Sequence, residues 1–159
     1  NLFLLSEDEQ GKLSLPTASL KNNVRFWLTK YKLLNDSVDI FDAKIVNVKI
    51  DFIAVAESGY DRASVLARLK RQLAKYLRDN QNDIGEPIYV TRLINAANEV
   101  DGVADIVRMD VARKTGANYS STVYSVDSNY SSDGRKIFIP KNVIWEVKFP
   151  LQDINGEVR

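Results

Sequence analysis

A chain of 159 residues, 45% apolar and 27% charged with a formal charge of +1, suits one globular domain and argues against both disorder and a general attraction to polyanions. It contains no cysteine and no histidine, which removes disulfides, thiolate metal sites, cysteine nucleophiles and the commonest general base at neutral pH. No apolar run approaches the roughly 20 residues that cross a bilayer, and a start at Asn1 rather than methionine fits a C-terminal portion of a longer chain.

Residues 1–16 read as a connector, a short apolar run (Leu2 to Leu5) followed by a solvated acidic turn at Glu7, Asp8 and Glu9. Thr17 or Ser19 caps a first helix that runs to about Leu34, where Asn35-Asp36-Ser37 breaks it. Leu20, Val24, Trp27, Leu28 and Tyr31 keep helical spacing, and Phe26 lies off that stripe, free for another contact. Val38 to Phe41 is a short extended segment. From Ile45 to Ala56, Val46, Val48, Ile50 and Phe52 alternate with Asn47, Lys49 and Asp51, the period of a strand with one buried and one wet face.

Asp61 then caps a long amphipathic helix. Val65, Leu66, Leu69, Leu73, Tyr76 and Leu77 share one face, and Arg68, Arg71, Lys75 and Arg78 lie opposite. The pattern fades over residues 79–83, and Gly85 and Pro87 stop its continuation. A second helix from Val90 to Val100 carries Leu93, Ile94 and Ala97, and Gly102 suits the left-handed backbone that ends it. A strand from Val103 to about Ala112 follows, with Val103, Val107, Met109 and Val111 on one side. The predicted class is α+β: helices packed on one face of a mostly antiparallel sheet, with a strand-helix-helix-strand core module over residues 17–113.

Residues 114–136 form a Tyr/Ser-rich arm, a protruding β-hairpin or loop in which Asn-Tyr-Ser-Ser occurs twice and Asp133-Gly134 supplies a turn. Residues 137–150 are a strand pair completing the sheet, Ile137 to Ile139 and Val143 to Phe149 around Pro140-Lys141-Asn142. Residues 151–159 are a loose tail.

Catalytic chemistry finds little support. No glycine loop opens a helix for a phosphate, and no nucleophile motif surrounds any serine. The calcium-loop-like windows from Asp79 and Asp127 carry Ile84 and Ser132 where glycine belongs, so both read as polar turns. Acid pairs such as Asp36 with Asp39 read as surface groups. We expect no catalytic residue, cofactor or metal, and therefore no enzyme. The sequons at Asn35, Asn118 and Asn129 are polar loop sequences. The basic back of the long helix reads first as a solvated face; a phosphate stripe and a match to an acidic protein stand as alternatives. Tyr119, Tyr124 and Tyr130 have two readings of equal weight, an exposed contact surface or side chains packed on their own sheet.

The order of motifs resembles a known family. Val38-Asp39-Ile40 and the run from Ala43 to Val48 lead to a helix ending Leu73-Ala74-Lys75-Tyr76-Leu77. Gly85-Glu86-Pro87-Ile88, Leu93-Ile94 and the exit Val100-Asp101-Gly102-Val103 follow. This run is similar to the C-terminal module of baseplate J-like proteins of contractile-tailed phages and related injection machines. The segment from Phe26 to Tyr31 and the Tyr/Ser insertion look most like the large baseplate wedge proteins of T-even-type phages. The resemblance implies a non-enzymatic structural subunit located in the virion tail baseplate and assembled in the host cytoplasm. Its implied partners are itself, as a homodimer within a ring, and other baseplate wedge proteins, with no nucleic acid and no membrane. The family's motif glycines fall on Gly85 and Gly102, to which only backbone turns are assigned. As interface residues we take Phe26, Tyr119, Tyr124 and Tyr130. The alternative function is a nucleic-acid-binding module using the basic helix, residues 61–82.

Overall fold

The computed structural model describes residues 1–31 and 37–159. In chain order the elements are β1 (Leu2–Leu4), β2 (Ser6–Glu7), β3 (Leu13–Ser14), α1 (Ala18–Thr29), β4 (Ile40–Asp42), β5 (Lys44–Ala56), α2 (Arg62–Asp79), β6 (Ile88–Tyr89), α3 (Val90–Asn98), β7 (Val103–Arg113), β8 (Lys136–Ile137), β9 (Val143–Glu146), α4 (Pro150–Asp153) and β10 (Ile154–Val158). The fold is thus mixed α+β. The expected end of the first helix near Leu34, its Asn35-Asp36 stop, the Asn35 sequon and the acid of Asp36 lie outside the described residues.

The alternation in β5 organises the core. Val46, Val48, Ile50, Phe52 and Ala54 are buried on one face, against Val65, Leu69 and Leu73 of α2 and Val90, Leu93 and Ala97 of α3. Each such side chain taken fully out of water contributes roughly 1.5–3 kcal/mol. Asp61 starts α2: its carboxylate accepts the Ser64 backbone N–H and the Ser64 hydroxyl, both at 2.8 Å. Those two bonds, the hydroxyl's first, hold the Asp61 carboxyl below its ordinary value. Gly102, at φ +89°, makes the turn into β7, and a Cβ there would fall 2.4 Å from the Tyr60 ring. Gly85, at φ +82°, lies so close to the Lys141 backbone that a Cβ would sit 3.1 Å from its Cα.

Several expectations are corrected by strand pairing. In the main sheet only β7 runs antiparallel to β5; β9 and β10 both run parallel to it, so the sheet is mixed. The long path through α2, α3, β7 and residues 114–142 returns the chain in the direction of β5, as a parallel crossover requires. The strand pair of residues 137–150 is not formed: β8 pairs with β6, while β9 pairs with β5. Residues 151–159 are not a loose tail. They hold the α4 turn and β10, whose residues Ile154 to Val158 pair with Ile50 to Ala54. Val107 does not face the core, because Arg108 and Ile106 pair with the successive residues Ile53 and Ala54. Val107 is the extra residue of that bulge and is exposed, and Ile106 takes the buried position.

Candidate interaction surfaces

Residues 1–31 and 37–42 are held to this core by a few polar ties. Asp8 Oδ1 accepts the Gln10 and Lys12 amides at 2.9 and 2.8 Å, closing the β2–β3 hairpin. Glu146 Oε1 in turn accepts the Leu13 amide at 3.1 Å, docking the hairpin onto β9. The Thr17 hydroxyl caps α1 through the Leu20 amide at 3.2 Å, and Lys21 Nζ meets Asp42 at 2.9 Å, holding α1 beside β4. β4 pairs in parallel with β1 alone, and the Phe3 and Phe41 rings lie 6.0 Å apart. A two-stranded sheet of this kind has too little to bury to be stable by itself.

The stripe of α1 is formed and only partly covered. None of its residues is buried, and Phe26, Trp27 and Tyr31 are 70%, 58% and 71% exposed. The Trp27 and Tyr31 rings stack at 4.8 Å, and Lys30 Nζ lies 5.2 Å from the Phe26 ring centre. Phe26 was expected off the stripe. Within the stripe, Val24 and Leu28 are half-buried while Leu20, Trp27 and Tyr31 stay exposed, a division that spacing alone does not reveal.

Tyr119, Tyr124 and Tyr130 use their hydroxyls inside the chain. Tyr119 donates to Asp153 Oδ1 at 2.7 Å and sets its ring edge-on against Phe149 at 5.6 Å. The Tyr124 hydroxyl donates to the Phe138 carbonyl. The Tyr130 hydroxyl donates to the Val111 carbonyl at 3.0 Å and accepts the Val111 amide at 2.9 Å, occupying the outer edge of β7. Burial raises all three phenol pKa values. Tyr119 is pushed up to about 12, by burial first and by Asp153 second. The geometry matches the reading in which these side chains pack on their own fold.

A buried polar hub holds this segment down, and alternation hid it. Asn47, expected on the wet face, is 2% exposed. Its Oδ1 accepts the Ser120 amide at 2.7 Å, its Nδ2 donates to Glu146 Oε2 at 3.0 Å, and its carbonyl accepts the Lys114 amide at 2.8 Å. Burial pushes the Glu146 carboxyl up. Asp153, fully buried, accepts the Phe149 amide at 3.0 Å and lies 3.7 Å from Lys114 Nζ. A buried Asn and Asp signal such a hub only after the segment covering them is known.

The basic side of α2 borders a groove. Arg68, Arg71, Lys75 and Arg78 line it together with Trp145, Val147 and Leu151. Among the described residues there is no cluster of acids suited to a metal ion, and no helix is long and apolar enough to cross a membrane. Compared with known proteins, the sequence matches no family model and no curated protein.

Proposed function

We propose that this chain is a structural subunit of a contractile-tail baseplate wedge. It works by docking rather than catalysis and joins neighbouring wedges into a ring through copies of itself and contacts with other wedge proteins. The motif order that resembles the baseplate J-like family supports the assembly. The observation that carries the docking is α1, a regular capped helix with an apolar stripe and no buried residue.

The occupant of that stripe is a second copy of the chain. Aromatic side chains present about 150–250 Å² each, so Trp27 and Tyr31 at their observed exposures, with Leu20 on the same stripe, offer on the order of 250–400 Å² of apolar surface, and Phe26 adds to it from an adjoining face of the helix. That lies within the range of the largest patch on a monomer, so an interface of roughly 800 Å² per partner draws in the adjoining Phe26 face and a polar rim as well. Residues 17–31 contain Lys21, Arg25 and Lys30 but no acid. Cations meeting aromatic rings across a two-fold axis make such a face complementary to itself.

Sedimentation of the purified chain over a range of concentrations tests the proposal. The wild type is expected to dimerise, and the triple variant Phe26→Ser, Trp27→Ser, Tyr31→Ser to remain a monomer with an unchanged urea midpoint. A wild-type chain that stays monomeric at its highest soluble concentration would overturn it.

A further inference from the structure

The groove beside α2 is separate from the α1 surface and encloses about 1070 Å³. Its walls are the C-terminal half of α2, residues 81–84, the β9–α4 segment and the tip of the β2–β3 hairpin. Leu77, Ile84, Val147 and Leu151 give it an apolar lining. Arg71 and Lys75 from α2, Lys12 from the hairpin and Lys148 after β9 add cations. Among the described residues, none of these four has a carboxylate within 4.0 Å.

Trp145 also lines the groove and is 5% exposed, and its indole N–H, which has no acceptor among the described residues, is buried out of contact with solvent.

We propose that this groove receives an acidic amphipathic segment of another polypeptide. Its apolar side chains lie along Leu77, Ile84 and Val147, and its carboxylates face Arg71, Lys75 and Lys12. The volume lies at the top of the range of about 300–1,000 Å³ typical of small-molecule sites, and the open shape also accommodates a helix or strand laid in the groove. A nucleic acid fits less well. Glu7, Asp83, Glu99, Asp101 and Glu146 share the lining and repel a continuous phosphate backbone, and the aromatic ring present is buried rather than open for stacking. A peptide can place its acids opposite the cations alone.

The full chain is titrated against a fluorescent amphipathic peptide of leucine and glutamate at helical spacing, with a lysine-for-glutamate twin and a single-stranded DNA oligonucleotide as competitors. The acidic peptide is expected to bind saturably and the twin not to bind. Arg71→Glu with Lys75→Glu weakens binding by roughly tenfold or more. Arg62→Glu with Lys70→Glu, an equal change of charge on the same helix outside the groove, leaves it in place. The proposal is overturned if the acidic peptide fails to bind, if the twin binds equally, if both reversals weaken binding alike, or if the oligonucleotide binds more tightly than the peptide. The α1 triple variant serves as background, so loss of self-association and loss of groove binding are read separately.

Discussion

Two helices of this chain carry the same kind of stripe and end in opposite environments. α2 places Val65, Leu69 and Leu73 at helical spacing and buries all three completely. α1 places Leu20, Trp27 and Tyr31 at comparable spacing, caps itself as well, and leaves them exposed. The difference lies in what stands opposite. α2 packs against β10 and α3 and shares the buried core with β5, whereas α1 has an ion pair to β4 and, among the described residues, only Val24 and Leu28 of its stripe half-buried. A stripe therefore specifies that something is to be covered, and the covering partner belongs to a different level of structure. For α2 that partner is the sheet; for α1 we place it in a second copy.

The largest expected effect separates the two helices directly. Leu69→Ala empties a fully buried position and is expected to lower stability by about 2–5 kcal/mol, read as a shift of the urea midpoint. Leu20→Ala, the same chemical change on α1, is expected to move it by less than about 0.5 kcal/mol in dilute solution. Equal losses would mean that α1 is coupled to the core, and the contrast between the helices would fail.

How much of this was legible follows from what each signal depends on. Asp61 followed by its spaced apolar residues located α2 because cap and stripe are local, and Val46 to Phe52 located β5 for the same reason. β10 escaped notice because Asn155, Gly156 and Glu157 carry no apolar pattern. Gly156 is nonetheless required there, since a Cβ would come within 2.3 Å of the Phe52 ring. Its place depends on parallel pairing with a strand about a hundred residues earlier. Asn47 was misplaced because alternation assigns a side chain to a face and cannot say that residues 114–120 will cover that face. Of the surface residues, Phe26 was visible as an aromatic with no place in the stripe. The spacing of Trp27 and Tyr31 assigns them to a packed face, and only their exposure among the described residues shows otherwise.

An intermediate effect tests the covered side of the sheet. The Tyr119 phenol, with an ordinary pKa of 10.0 and pushed up to about 12, keeps its proton in the folded state after the unfolded chain has lost it. Its contribution is therefore full below pH 10 and is lost as pH rises toward 12, and the raised phenols of Tyr124 and Tyr130 act in the same direction. Tyr119→Phe should lower stability by roughly 1–3 kcal/mol at neutral pH, because the buried Asp153 loses a donor. It should also flatten the alkaline fall of the urea midpoint. An alkaline slope that Tyr119→Phe leaves unaltered would remove Tyr119 from the clamp and make residues 114–120 as loosely attached as α1.

The smallest global effect is the most discriminating. Thr17→Ala removes the side-chain cap of α1 and should cost that helix about 1 kcal/mol, enough to speed exchange of its amides severalfold, since 12-residue helices are marginal without packing. In dilute solution the urea midpoint should stay where it is, because the core does not depend on α1. At concentrations where copies associate, the same substitution should weaken the dimer by a similar factor, because the cap then supports a helix ordered for its partner. A midpoint that falls at every concentration would show α1 already at work inside the monomer, whereas a shift confined to the associated state puts its stripe to use between chains.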